Sequence, residues 1–159
     1  MFGFDIAIIS GAIPFIQPYF NWSDLELGWS VSSLIMGAMV GAFGAGALTD
    51  RYGRKKILIV VALFFAVTCF VTALATTSAV FVAARLFGGL AVGAASVLSP
   101  MYIAEISPPG KRGMLVSVYQ LAITTGILIS YLVNFGLHDV ENNWRWMFAV
   151  EAFPSVIFL

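Results

Sequence analysis

The chain has 159 residues, of which 60% are hydrophobic and 10% charged, against about 25% charge in an ordinary soluble domain. With a mean hydropathy of +0.97, this composition excludes a water-soluble globule. Eight Lys and Arg cancel eight Asp and Glu, so no basic surplus exists to neutralise a phosphate backbone, and nucleic acid is excluded as a partner.

A helix needs about 20 mostly apolar residues to cross the hydrocarbon layer of a bilayer. Runs of that kind predict helices over Phe2 to Phe20, Leu27 to Thr49, Ile57 to Thr77, Ala79 to Ala104 and Gly113 to Gly136, and a sixth from Trp146 to Leu159. The first run carries Asp5 and has no basic n-region or cleavage pattern, which argues against a signal peptide. Ser23 and Glu26 form an S-x-x-E capping box ahead of the second run, and Pro108, Pro109 and Gly110 break the chain after the fourth. None of the runs alternates as a barrel strand would. Both ends of the chain lie inside apolar sequence, so the chain is expected to be a fragment whose sixth helix is truncated.

Arg51, Arg54, Lys55 and Lys56 follow the second run, and Lys111 and Arg112 follow the fourth; these are six of the eight basic residues. The positive-inside rule puts both loops, and with them the amino terminus, in the cytoplasm. Trp22, Trp29, Trp144 and Trp146 then fall at outer ends, where an indole favours the headgroup layer, and an interfacial belt is expected. His138 stands alone in an outer loop and is expected to be solvated.

Arg85 lies inside the fourth run, and Arg at the bilayer centre costs about 2.5 to 3.5 kcal/mol on insertion scales. Asp5 is the natural partner: each sits on the first helix of a three-helix group, and an inverted three-plus-three repeat sets those two helices around one central cavity. The pair is either a proton coupler or a static structural ion pair, with snorkelling of Arg85 to the surface as a third possibility. In the coupling reading, desolvation favours the protonated acid and a nearby Arg85 favours the carboxylate, so a change in their separation moves a proton. Glu151 in the sixth run is a further costly charge without an identifiable partner.

In the fifth run Ser117, Gln120, Thr124, Tyr131 and Asn134 share one side of a helix, which therefore faces protein or water. The Gln120 amide suits the adjacent hydroxyls of a polyol, and equally suits interhelical hydrogen bonding. Gly37, Gly41 and Ala45, and Gly89 and Gly93, give small-residue faces for close helix approach. A lone cysteine, Cys69, and the lack of a Ser/His/Asp set, an H-E-x-x-H or a C-x-x-C leave no basis for an enzyme, a metal centre or a cofactor.

The stretch Gly46-Ala47-Leu48-Thr49-Asp50-Arg51-Tyr52-Gly53-Arg54-Lys55-Lys56 resembles the signature of the major facilitator superfamily between its second and third helices. Pro100 to Pro108 (PMYIAEISP), Arg112-Gly113, Gln120, Gly3-Phe4-Asp5, and Arg85 with Gly88 and Gly89 resemble its sugar porter branch. The resemblance covers essentially the whole chain. It implies an all-α, multi-pass protein of the plasma or bacterial inner membrane: the amino-terminal six-helix bundle of a twelve-helix carrier, residues 1–159, with its carboxy-terminal half absent. The family motif after helix six is missing, and the fragment alone is not expected to transport.

Roles carried over by resemblance are proton coupling for Asp5 and Arg85, sugar binding for Gln120 and Phe2, with Thr124 beside them on the polar stripe, and a cytoplasmic gating network for Asp50, Arg51, Gly53, Arg54, Glu105 and Arg112. The implied function is monosaccharide transport by alternating access, with a hexose or pentose and a proton as partners, because facilitative members generally lack the acid. The alternatives are a facilitative uniporter, in which Asp5 is structural, and a membrane sugar sensor.

Overall fold

The structure is a computed structural model that describes residues 2–138 and 143–158, with side chains over 3–138 and 143–152. Its elements are α1 (Phe2–Phe20), α2 (Asp24–Tyr52), α3 (Arg54–Ala73), α4 (Ser78–Ile106), α5 (Arg112–Gly136) and α6 (Asn143–Phe158). Four of them, α2 to α5, are long and apolar enough to cross a membrane.

Capping chemistry, rather than hydropathy, sets the helix ends. Ser23 N–H donates to Glu26 Oε2 at 2.9 Å and Glu26 N–H to Ser23 Oγ at 3.4 Å, the reciprocal capping box that starts α2 three residues before the apolar run. Gly53, at φ +87°, separates α2 from α3 and donates its N–H to the Thr49 carbonyl; a side chain is strained at that φ. The third helix stops at Ala73, short of the expected Thr77. Leu74 and Ala75 close the last turn onto Phe70 and Thr72, and Thr77 is taken as the cap of α4, accepting from Val80 N–H at 3.4 Å. The sixth helix starts at Asn143 rather than Trp146, because Asn143 Oδ1 accepts from Trp144 N–H at 2.7 Å and its amide donates to the His138 carbonyl at 3.0 Å.

The most extensive interface is α2 on α4, followed by α3 on α4, α1 on α5, α3 on α6 and α1 on α6. Exchanging α1 with α4, α2 with α5 and α3 with α6 maps these interfaces onto one another, the signature of an inverted three-helix repeat. The small-residue faces make the closest approaches. A Cβ on Gly37 would overlap the Leu86 carbonyl, and one on Gly93 the Ala38 carbonyl. In the equivalent α1–α5 contact, Gly3 meets the Ile123 carbonyl and Gly11 the Asn134 side chain.

The tryptophans divide, which corrects the expected belt. Trp29 and Trp146 are 60% and 57% exposed, whereas Trp22 and Trp144 are 7% and 2% exposed. The buried pair fills a core where α1, α4 and α6 meet: Trp22 stacks on Phe20 at 4.9 Å, Trp144 meets Phe81 at 6.2 Å, and Trp22 Nε1 donates to Ser78 Oγ at 2.7 Å. A satisfied indole N–H removes the reason for Trp22 to seek the water layer, and Trp144 is packed among Tyr19, Phe20 and Phe81. His138 also has company, its ring edge-on to Phe15 at 5.5 Å.

Candidate functional site

Asp5 in the first turn of α1 and Arg85 on α4 meet in the interior. Arg85 Nη1 donates to Asp5 Oδ1 at 2.8 Å, and the two side chains are 3% and 1% exposed. Phe148 of α6 lies against the guanidinium, its ring centroid 5.5 Å from Cζ, in cation–π range. The contact uses one nitrogen and one oxygen, not the bidentate fork that Arg can offer a carboxylate. Asp5 Oδ2 and Arg85 Nε have no hydrogen-bond partner.

Glu151, the acid left without a partner by sequence reasoning, belongs to the same place. It is 1% exposed, and its Oε1 has no hydrogen-bond partner. A cavity of about 10 Å³ is bordered by Asp5, Arg85 and Glu151, with Thr68, Cys69 and Thr72 of α3 on one side and Leu34 and Phe65 among its apolar neighbours. That is about the space one water needs. Both threonine hydroxyls are already donated along their own helix, to Phe65 and Thr68 carbonyls at 2.8 Å. Two buried carboxyl groups and one guanidinium therefore border the same small cavity, and of the two acids only Asp5 is in hydrogen-bond contact with Arg85. The sequence signal was the cost of Glu151 itself; three residues beyond Phe148, it sits on the helix face that packs over Arg85.

The polar stripe of α5 divides along its length. Asn134 is buried, its amide donating to the Ala7 and Ile8 carbonyls at 3.4 Å each, which is the interhelical reading of that stripe. Gln120, Thr124 and Tyr131 are exposed. At about 100° per residue they lie roughly a quarter turn around α5 from the face that meets α1 through Ile123, Gly126 and Asn134. Thr124 Oγ1 donates to the Gln120 carbonyl at 3.2 Å, leaving the Gln120 amide the larger free polar group. The Phe2 side chain lies outside the described residues.

At the opposite end from the tryptophan core, Arg54 Nε pairs with Glu105 Oε2 at 2.9 Å, and Arg54 also contacts the Met101 sulfur. This joins the start of α3 to the end of α4. Arg51 lies over the Tyr52 ring at 5.5 Å. Asp50, Arg51 and Arg112 are exposed and make no ion pair among the described residues.

Comparison with known proteins gives one answer throughout. The family model for sugar (and other) transporters matches residues 1–159. The D-xylose transporter of Levilactobacillus brevis is 40% identical over 99% of this chain and 34% of its own length. The galactose-proton symporter of Escherichia coli K12 is 42% identical over 100% of this chain and 34% of its own. Among solved structures, the proton:xylose symporter XylE bound to 6-bromo-6-deoxy-D-glucose superposes with a TM-score of 0.92 at 34% identity, covering 99% of this chain and 40% of that one. The inward-open form of the E. coli xylose transporter gives 0.91. The chain spans about a third of the length of the curated relatives it matches.

Proposed function

Because the chain belongs to the sugar transporter family of the major facilitator superfamily, we propose that it supplies the amino-terminal six helices of a carrier that moves a monosaccharide together with a proton by alternating access. The observation that carries this reading is the buried Asp5–Arg85 contact at 2.8 Å. An acid with one guanidinium contact and one unpartnered oxygen changes its proton affinity when the contact is made or broken. The hydrogen bond joins α1 to α4, the two helices related by the repeat, so a rocking motion that separates them alters the protonation of Asp5. Glu151, across the same cavity, is a second acid beside the pair.

Sugar binding falls to the exposed stripe of α5. Gln120 offers an amide donor and acceptor to neighbouring hydroxyls, with Thr124 one turn along the helix, and Phe2 is a further candidate by its place in the sequence. The link between α2 and α3 faces the cytoplasm, as does the amino terminus. There Arg54 and Glu105 close the inner end and, with Asp50, Arg51, Gly53 and Arg112, form the network that opens as the carrier changes state. A partly exposed ion pair suits that task, since it is cheap to break.

Uptake of labelled pentoses and hexoses by cells expressing the complete reading frame tests the proposal. Accumulation above the external concentration that collapses on adding a protonophore supports symport. Equilibration indifferent to the protonophore indicates a facilitative carrier, and no uptake of any sugar removes the transport reading.

A further inference from the structure

The outer surface of these six helices carries a second feature. A groove of about 310 Å³ opens between α2 and α3, with Val40, Gly44 and Leu48 on one wall, Val60 on the other and Ala91 and Ala94 of α4 as its floor. Its walls are wholly apolar, as an acyl chain requires. Val40, Gly44 and Leu48 follow one another at four-residue spacing, and Arg51, three residues on, continues the same face of α2. On α3, Lys56 stands one turn before Val60 at the same end. Lys55 falls on the opposite face of that helix at about 100° per residue.

Arg51, Lys55 and Lys56 are exposed, and among the described residues none of them has an ion-pair partner. Glu105 is taken by Arg54, which leaves Asp50 as the acid of the link. An apolar slot thus ends beneath a positive cluster at the membrane surface, where anionic headgroups lie. We propose that the groove seats an acyl chain of an anionic phospholipid whose phosphate is held by Arg51 and Lys56. The inference rests on the spanning helices and not on the transport reading, so each can fail without the other.

Native mass spectrometry of the complete reading frame in detergent, titrated with dioleoylphosphatidylglycerol or dioleoylphosphatidylcholine, tests it. The anionic lipid should be retained at least about fivefold more strongly. Lys56→Gln should weaken phosphatidylglycerol about fivefold, leave phosphatidylcholine unchanged and exceed the effect of Lys55→Gln. Gly44→Phe, at a position where an added Cβ meets no atom within 4 Å, should lower retention of both lipids by filling the slot. Equal retention of the two lipids, retention of neither, equal effects of the two lysines, or undiminished binding in Gly44→Phe would overturn the proposal.

Discussion

Arg85 and Asp5, 80 positions apart, share a single 2.8 Å hydrogen bond, and each keeps one polar atom without a partner. Around them lie Glu151, the Phe148 ring and room for one water. Such a centre is easily unbalanced, because removing one member of a buried pair strands the other charge at a cost of about 3 to 5 kcal/mol.

That cost is expected to be asymmetric. Arg85→Gln leaves two buried carboxyl groups with no cation, whereas Asp5→Asn leaves Arg85 with Glu151. Thermal unfolding of the complete protein in detergent should show the larger loss for Arg85→Gln, and adding Asp5→Asn to it should recover part of that loss. Equal destabilisation by the two single variants would show that Glu151 does not compensate Arg85 when Asp5 is removed.

The α2–α4 contact predicts opposite outcomes at two glycines. Gly93→Ala drives a methyl into the Ala38 carbonyl, and overpacking of that kind costs about 1 to 3 kcal/mol. Gly46→Ala meets no neighbouring atom and should gain up to about 1 kcal/mol of helix propensity. Melting temperatures of the two variants, measured side by side, check both signs.

Much of this was legible in the sequence, and the failures share a cause. A charge in an apolar run is expensive wherever it lies, so Asp5, Arg85 and Glu151 stood out before any fold was known. The surroundings of Glu151 did not, because they depend on α6 packing against α3 and α1, which brings Glu151 to the cavity beside Asp5 and Arg85. Trp22 and Trp144 do lie at helix ends, but their burial was not legible because a belt tryptophan and a core tryptophan have the same local sequence; the contacts of Trp22 with Ser78 and Phe20 and of Trp144 with Phe81 are what separate them. The α5 stripe was read correctly as one face, but periodicity could not say that Asn134 meets α1 while Gln120 stays exposed.

That division orders the sugar-binding candidates. Gln120 has its amide free, whereas Thr124 already donates to a backbone carbonyl at 3.2 Å. Gln120→Ala should raise the KM for uptake about five- to tenfold, the loss of one typical hydrogen bond, and Thr124→Val should change it less. A larger effect at Thr124 would reverse the assignment.

The Arg54–Glu105 pair should matter more to conformation than to stability. Its side chains are 29% and 45% exposed, and pairs of that kind contribute about 0.2 to 1 kcal/mol. Glu105→Gln should therefore shift the melting temperature little while increasing alkylation of a cysteine introduced near the inner end, as the gate spends more time open. Unchanged labelling would remove the pair from the gate.

Proton coupling through Asp5 is the central claim, and Asp5→Asn tests it most directly when uphill accumulation and counterflow exchange of the same labelled sugar are measured in one vesicle preparation. Uphill accumulation should be lost while exchange, which needs no proton gradient, persists. Undiminished accumulation by Asp5→Asn would contradict the account.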